Sequence, residues 1–122
     1  MKKEIKDKWV AALRSGEYQQ TKEFLATSDG FCCLGVLCDL YIKEHDDPSS
    51  TRYQTWKNDC EFRDNLLDLH ENMVLPRQVR EWSGVSSSDG AINNGDCLTQ
   101  MNDQGMSFSD IADVIEERWE DL

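Results

Sequence analysis

One apolar run stands out in the pattern of hydrophobic and polar positions along this chain. It covers residues 31–41 and reads FCCLGVLCDLY, whereas its surroundings are strongly polar. Its apolar residues recur at helical spacing, so the run predicts a helix that begins at Cys32 or Cys33 and ends at Glu44. Gly35, near the start, would let another backbone pack closely against that helix. No other segment is as apolar, so we expect the rest of the fold to organise around this run.

The N-terminal residues predict a first helix by the same spacing. The apolar positions that carry it are Ile5, Trp9, Ala12 and Leu13. Gly16 ends this helix, and the sequence TSDG at residues 27–30 has the composition of a turn. A short hairpin or an extended arm is therefore expected between the first helix and the apolar run.

The C-terminal third predicts an αα-hairpin that turns on Gly105. A short helix around Leu98 and Met101 precedes the glycine, and a longer amphipathic helix follows it. Ser107 and Asp110 have the spacing of a capping box at the start of the longer helix. The outline is that of a helix-turn-helix, but the second helix offers acidic side chains and not the basic or amide side chains that read DNA.

The middle of the chain is less regular. Residues 46–75 show no clear period and predict an arm, while residues 85–96 contain two turn clusters. Between them, Leu75-Pro76 followed by Val79 and Trp82 predicts a short helix with proline in its first turn. The predicted fold is mainly α, an α+β fold with a minor β hairpin or arm, in one compact domain of residues 1–122.

Composition bounds the class of protein. The chain has 122 residues, of which 39% are hydrophobic and 30% charged, so one folded and strongly solvated domain is expected. No run approaches the ~20 apolar residues of a membrane span, and the basic start lacks the apolar segment of a secretory signal. Five cysteines are an odd number. They predict free thiols in a reducing cytoplasm.

The net charge of −11 comes from 24 acidic and 13 basic residues, and its distribution is uneven. Residues 1–22 hold six basic and three acidic residues, so the acidic excess lies in the remainder. Such a surface repels phosphate backbones, which argues against direct nucleic-acid binding. It suits a partner with a basic surface. The alternative is that the charge only keeps the protein soluble.

The last helix is the candidate for that contact, because its carboxylates fall on one face. They are Asp110, Asp113, Glu117 and Glu120. A helix that reads DNA should instead offer basic or amide side chains. This face is therefore a candidate docking site for a basic protein, with an ordinary solvated helix face as the alternative.

A second candidate site combines aromatic and basic residues in the middle of the chain. Its residues are Trp56, Arg77, Arg80 and Trp82. An aromatic wall with two guanidinium groups is one way to hold a nucleotide or another anionic small molecule. The alternative is that the aromatic residues belong to the core and the arginines balance neighbouring acids.

The cysteines and histidines give weaker signals. No C-x2-C or H-x3-H spacing occurs, so neither a metal site nor a cofactor is predicted, with a zinc site built from distant residues as the alternative. A cysteine-dependent enzyme would need Cys60 beside His70, or Cys32 beside a histidine. Nothing in the sequence brings these residues together, so we expect a protein that is not an enzyme.

Four motifs resemble a family of small uncharacterised proteins encoded by bacteriophages and prophages. They are W-x-x-A-L-R-S-G-x-Y-x-Q at 9–20, FCCLGVLCD at 31–39, L-P-x-x-V-x-x-W-x-G at 75–84 and L-x-x-M-N-D-x-G-x-S-F-x-x-I-A at 98–112. Residues 45–74 and 85–96 are outside the resemblance. The chain also departs from it after Gln20, where TKEF replaces an arm richer in glycine and arginine.

The resemblance implies a context and no mechanism, because that family has no established activity. Small acidic phage proteins often act by binding a host enzyme, a defence complex or a nucleotide signal. We therefore predict a cytoplasmic, phage-encoded protein that inhibits or modulates a host bacterial protein, such as one of antiviral defence, through its acidic surface. The alternatives are a nucleotide-sequestering protein and, third, a cysteine-dependent enzyme. Aromatic residues in the arm make a homodimer a further expectation.

Overall fold

The computed structural model describes residues 1–27, 29–45, 74–92 and 95–122. Within these ranges it has five α-helices, one two-stranded antiparallel sheet and a short 3₁₀ helix. In chain order they are α1 (Lys3–Arg14), β1 (Ala26–Thr27), β2 (Gly30–Phe31), α2 (Cys33–His45), α3 (Arg77–Ser83), α4 (Leu98–Asp103), α5 (Phe108–Arg118) and the 3₁₀ helix Trp119–Asp121. The prediction of a mainly helical single domain with a small β element is confirmed.

Helix α2 forms the centre, as the apolar run predicts. Its residues from Cys33 to Asp39 are all buried, and so are Tyr41 and Ile42. Helices α1, α3 and α4 and strand β2 pack around it. A helix that is apolar on nearly every face is stable only where it is covered on nearly every face.

Gly35 is the position at which Leu25, the residue before strand β1, approaches α2. A β-carbon on Gly35 would lie 1.7 Å from the carbonyl oxygen of Leu25. That same oxygen accepts a hydrogen bond of 3.1 Å from the backbone N–H of Cys32. The expected close backbone approach is confirmed, and only glycine fits there.

Helices α1 and α5 form the most extensive helix pair. Met1 lies at Leu122 and Gln20 lies at Met106, so the two helices run in opposite directions. The predicted anchor Trp9 is fully buried, and its indole N–H donates to the carbonyl oxygen of Cys33 at 2.9 Å. This bond ties α1 to the start of α2.

Asn102, at the end of α4, joins three separate segments. Its Oδ1 accepts hydrogen bonds from the Cys33 backbone N–H at 3.1 Å and from Gln20 Nε2 at 3.0 Å. Its Nδ2 donates to the carbonyl oxygen of Thr21 at 2.8 Å. Gln20 Nε2 also donates to the carbonyl oxygen of Met106 at 2.7 Å. Because Asn102 is completely buried, these bonds replace those it would make to water.

The C-terminal αα-hairpin turns on Gly105 as predicted. Its φ of 97° lies in the left-handed region that favours glycine. Ser107 is the N-cap of α5, and its hydroxyl accepts a hydrogen bond of 3.2 Å from the backbone N–H of Asp110. No helix within the described ranges is long and apolar enough to cross a membrane.

Candidate functional site

All four predicted carboxylates of the last helix are exposed. We call them the acidic face: Asp110, Asp113 and Glu117 on α5, and Glu120 in the 3₁₀ helix. The opposite side of α5 carries its buried residues, Ile111 and Ile115 among them. The helix is therefore amphipathic, and burial of its apolar side directs the carboxylates to solvent.

Two carboxylates of α5 are bound by basic residues of α1. Arg14 Nη2 lies 2.6 Å from Asp113 Oδ1, and Lys6 Nζ lies 3.2 Å from Glu116 Oε1. The Lys6 side chain is buried, and its hydrogen bond to Asp7 together with that to Glu116 raises its pKa. The basic N-terminal segment therefore neutralises part of the acidic C-terminal helix within the same molecule.

The remaining three members of the acidic face have no such partner. Within the described ranges, no basic side chain lies within ion-pair distance of Asp110, Glu117 or Glu120. Among the described residues, these three charges therefore have no internal counter-charge.

The two predicted arginines lie together at the edge of the molecule. Arg77 and Arg80 line an open cavity of about 400 Å³. The other lining residues are Glu81, Gly84, Val85 and Ser86. We call this site the arginine cavity. Its residues come from α3 and from the chain directly after it.

The arginine cavity is bordered by the first and last residues of the chain. A β-carbon on Gly84 would lie 3.1 Å from the Lys2 backbone nitrogen and 3.2 Å from Met1 Cα. The Lys2 N–H donates to the carbonyl oxygen of Ser83 at 2.8 Å. On the other side, the Ser86 N–H donates to the carbonyl oxygen of Leu122 at 3.3 Å. Gly84, with φ of 80°, ends α3 in the left-handed conformation.

The two guanidinium groups differ in their surroundings. Arg77 is exposed, and its Nε lies 3.9 Å from Glu81 Oε1, a long ion pair that is weak in solvent. Arg80 Nε is buried and has no acceptor within hydrogen-bond distance. In the described part of the chain the only other buried side-chain nitrogen or oxygen without a partner is Gln78 Oε1, also on α3.

Trp82 does not join the two arginines, which corrects the predicted four-residue site. Its ring packs edge-on against Tyr41 at a centroid distance of 5.4 Å and against His45 at 5.9 Å. Tyr41 and His45 stack on each other at 4.1 Å. Arg80 and Trp82 are two positions apart, about 200° around a helix, so they lie on opposite sides of α3. Trp56 lies outside the described residues, as do the other aromatic residues of the arm.

The thiols of α2 and of the residue before it are buried. Burial raises the pKa of Cys32 to about 11 and raises the pKa of Cys33 and of Cys38 well above the ordinary value. A thiol held in its protonated form is a poor nucleophile. Cys97 is half-buried, with its sulfur 3.3 Å from Thr99 Oγ1. Cys60 and His70 lie outside the described residues.

A family model for a domain of unknown function, DUF8296, matches residues 1–119. The chain belongs to this family. No curated protein matches the chain, and no solved structure matches it. Membership of DUF8296 assigns no activity, so the function has to be argued from the chemistry of the sites.

One polar cluster in this DUF8296 chain escaped the sequence analysis. Tyr18 donates to Asp39 Oδ2 at 2.5 Å, and Lys43 Nζ lies 3.1 Å both from that oxygen and from the tyrosine oxygen. Burial and the bond to Asp39 raise the pKa of Tyr18. The bonds to Tyr18 and Asp39 raise the pKa of Lys43 against the opposing effect of burial. Both groups hold their protons at neutral pH, so neither can act as a general base there.

The sequence did contain a signal for this cluster. Asp39 is a carboxylate inside the apolar run of residues 31–41 and is almost completely buried. A buried carboxylate requires partners, and Lys43 follows it by one helical turn. The cluster fastens α2 to the segment after α1. Its second partner, Tyr18, could not be identified from spacing alone. In the described ranges no group of three or more histidine, cysteine or acidic residues has the arrangement of a metal site.

Proposed function

We propose that this protein is a binding protein that is not an enzyme and that docks onto a basic surface of another protein through its acidic face. One observation carries the proposal. Asp110, Glu117 and Glu120 are exposed without an internal cation among the described residues, whereas Asp113 and Glu116 are already paired with α1. These three charges without an ion pair therefore lie along one side of α5 and its 3₁₀ extension.

The way in which helix α5 is held in the fold supports the same proposal. Helix α5 is fixed by its packing on α1 and by the Ser107 cap, so its carboxylates keep their relative positions. Fixed charges of one sign steer an oppositely charged partner during encounter and disfavour partners of like charge. The expected contact is therefore fast to form and sensitive to ionic strength.

The resemblance to bacteriophage proteins indicates where to seek the partner. A phage-encoded protein acts in the cytoplasm of an infected bacterium, so the proposed partner is a host bacterial protein with a basic surface. A nucleic-acid-binding host protein, including one of antiviral defence, has such a surface. The acidic face would then occupy the surface that otherwise binds phosphates.

The burial of the thiols supports a role in binding over a role in cysteine chemistry. Cys32, Cys33 and Cys38 lie among core side chains, and burial disfavours their thiolate forms. A thiolate with a base at its side is what a cysteine nucleophile requires. These three residues instead fill the centre of the fold, as buried free cysteines commonly do.

Capture from bacterial lysate tests the proposal when charge-reversed variants are compared. The tagged protein is incubated with lysate at several salt concentrations, and captured proteins are identified and quantified by mass spectrometry. Glu117→Lys is expected to reduce capture of the main partner on the order of tenfold at low salt. Asp29→Lys, an equal change of charge in the β1–β2 turn, is the matched control and should capture as the wild type does.

Glu117 is a better probe than Asp113, because Asp113→Lys would also remove the ion pair with Arg14. Capture that is equally strong with Glu117→Lys would contradict the proposal. Equal losses with Glu117→Lys and Asp29→Lys would also contradict it, since the effect would then follow net charge and not the acidic face.

A further inference from the structure

Among the described residues Arg80 has no acidic partner, although the chain has a large excess of acidic residues. Of the arginines in the described ranges, Arg14, Arg77 and Arg118 each lie within 4 Å of a carboxylate. The Arg80 side chain makes no hydrogen bond or ion pair there, and its Nε is buried without an acceptor. A chain with 24 acidic and 13 basic residues could readily supply one. The missing partner is therefore an unexplained feature of the structure.

A buried N–H without an acceptor lowers stability, because it has lost its bond to water and gained none in return. Such a cost is tolerated where the group has a task outside the folded chain. Arg80 also lines a cavity, so the guanidinium group that carries this Nε can bind a ligand there through its terminal nitrogens. A half-buried arginine beside an open cavity is thus suited to a ligand with negatively charged oxygens.

The charge of the arginine cavity favours an anion. The lining residues include two guanidinium groups and one side-chain carboxylate, that of Glu81, which is only loosely paired with Arg77 at 3.9 Å. The terminal ammonium of Met1 lies 3.5 Å from the terminal oxygen of Leu122 that borders the cavity. The Ser86 hydroxyl is a further donor, because no hydrogen bond occupies it among the described residues. A volume of about 400 Å³ exceeds what a bare phosphate fills and lies within the range of small-metabolite sites.

We propose that the arginine cavity binds the phosphate group of a small phosphorylated metabolite, no larger than a mononucleotide. Arg80 and Arg77 donate hydrogen bonds to the phosphate oxygens, as guanidinium groups do in planar and charge-assisted contacts. Ser86 adds a neutral donor. Arg77 exchanges its long contact with Glu81 for the phosphate. This site is separate from the acidic face and does not depend on it.

The sequence predicts an anion site of Arg77 and Arg80 with Trp56 and Trp82. The proposed site keeps the two arginines, excludes Trp82, and adds Glu81 as the carboxylate that competes with the ligand. A substitution of Glu81 should change the phosphate affinity in the direction opposite to a substitution of either arginine. Removing a competing carboxylate should strengthen phosphate binding, whereas removing a guanidinium should weaken it.

Nuclear magnetic resonance of the ¹⁵N-labelled protein tests the site with inorganic phosphate as the first probe. Phosphate is titrated at pH 7 against sodium chloride of the same ionic strength, so that screening stays constant. Saturable shifts are expected at the Arg80 Nε–H and at the backbone amides of Gly84, Val85 and Ser86, with Kd on the order of 1 mM. Ribose 5-phosphate and adenosine monophosphate are then titrated in the same way.

Four variants separate this site from general attraction of anions. Arg80→Gln should weaken phosphate binding at least about tenfold, and the exposed Arg77→Gln, which leaves the core untouched, about fivefold. Glu81→Gln should strengthen it about threefold. Arg14→Gln removes the same charge at the far end of α1, about 18 Å from Lys2, and should leave Kd within about twofold.

The titrations answer two questions: whether the site binds phosphate, and whether it prefers a phosphate ester to free phosphate. Tighter binding of either ester than of inorganic phosphate supports a phosphorylated metabolite, and equal binding supports free phosphate at the same arginines. Shifts that do not saturate by about 10 mM phosphate would overturn the proposal. It would also be overturned if Arg77→Gln and Arg14→Gln weakened binding equally.

Discussion

Asn102 at the centre of the molecule and Arg80 at its α3 edge both hold polar atoms out of reach of water. Asn102 uses its amide fully, with bonds to Cys33, Gln20 and Thr21. Arg80 Nε has no acceptor within the described ranges. Both buried atoms that lack a partner there belong to α3, and none belongs to the centre.

The difference separates what holds the fold from what is available for binding. A polar group whose bonds are all made within the chain stabilises one arrangement and leaves nothing for a ligand. A buried polar group without a partner costs about 1–3 kcal/mol and offers that energy to whatever supplies the bond. The polar groups of the centre therefore stabilise the fold, whereas the α3 edge and the acidic face are available to bind a ligand or a partner protein.

The largest predicted effect on stability comes from a substitution of Gly35, in the centre of the molecule. Gly35→Ala would put a β-carbon 1.7 Å from the Leu25 carbonyl oxygen, and backbone cannot yield as a side chain can. We expect a loss of about 4 kcal/mol or more in the free energy of unfolding, measured by urea denaturation. Gly16→Ala is the control, because a β-carbon there meets no atom within 4 Å and costs only left-handed strain of about 1–2 kcal/mol. A loss for Gly35→Ala no larger than that of the control would contradict the close approach.

The next largest effect on stability comes from a substitution of Asn102, which removes hydrogen bonds in the centre of the molecule. Asn102→Ala leaves the Cys33 N–H, the Thr21 carbonyl and one bond of Gln20 without their partner. We expect a loss of about 3 kcal/mol in the same urea experiment. Asn102→Asp keeps an oxygen acceptor and should retain more stability than Asn102→Ala at low pH, where the new carboxyl is protonated. Equal stability of Asn102→Ala and the wild type would show that the network is dispensable.

The buried thiols of the centre predict a loss of stability in alkali. Above the ordinary thiol pKa of 9.0 the unfolded chain releases protons that Cys32 retains in the folded state up to about pH 11. Stability is therefore complete below pH 9 and falls as the pH rises, by about 1.4 kcal/mol per pH unit for each retained proton. Cys38→Ala removes one such thiol and should reduce the slope of stability against pH by that amount. Identical slopes for Cys38→Ala and the wild type would contradict the burial of this thiol.

Local sequence signals predicted most of the fold, because they act over one or two helical turns. The helical spacing around Trp9, the apolar run of α2 and the turn at Gly105 each specify an element without reference to distant residues. Gly35 was also interpretable, since a glycine inside an apolar helix indicates close approach. These are the features whose physics is contained in short stretches of chain.

The features that sequence did not reveal depend on which distant residues meet. Asn102 and Gln20 are 82 positions apart, and nothing local marks them as partners. The pairing of Arg14 with Asp113 requires the register of α1 on α5, so the partial neutralisation of the acidic face was not foreseen. Trp82 is a different case. Its angle from Arg80 around a helix, about 200°, could be read from the sequence and places the two residues on opposite sides of α3.

The comparison between Asn102 and Arg80 is tested most directly by a substitution at Arg80, which has the smallest predicted effect on stability. Arg80→Leu removes the buried N–H that has no acceptor while keeping the apolar stem, so its free energy of unfolding in phosphate-free buffer should stay within about 1 kcal/mol of the wild type or exceed it. Adding 20 mM phosphate, about twentyfold above the expected Kd, should stabilise the wild type by about 2 kcal/mol and leave Arg80→Leu unchanged. The contradicting result has two parts: Arg80→Leu loses as much free energy of unfolding as Asn102→Ala, and phosphate stabilises the variant and the wild type equally. Arg80 would then stabilise the fold and would not bind phosphate.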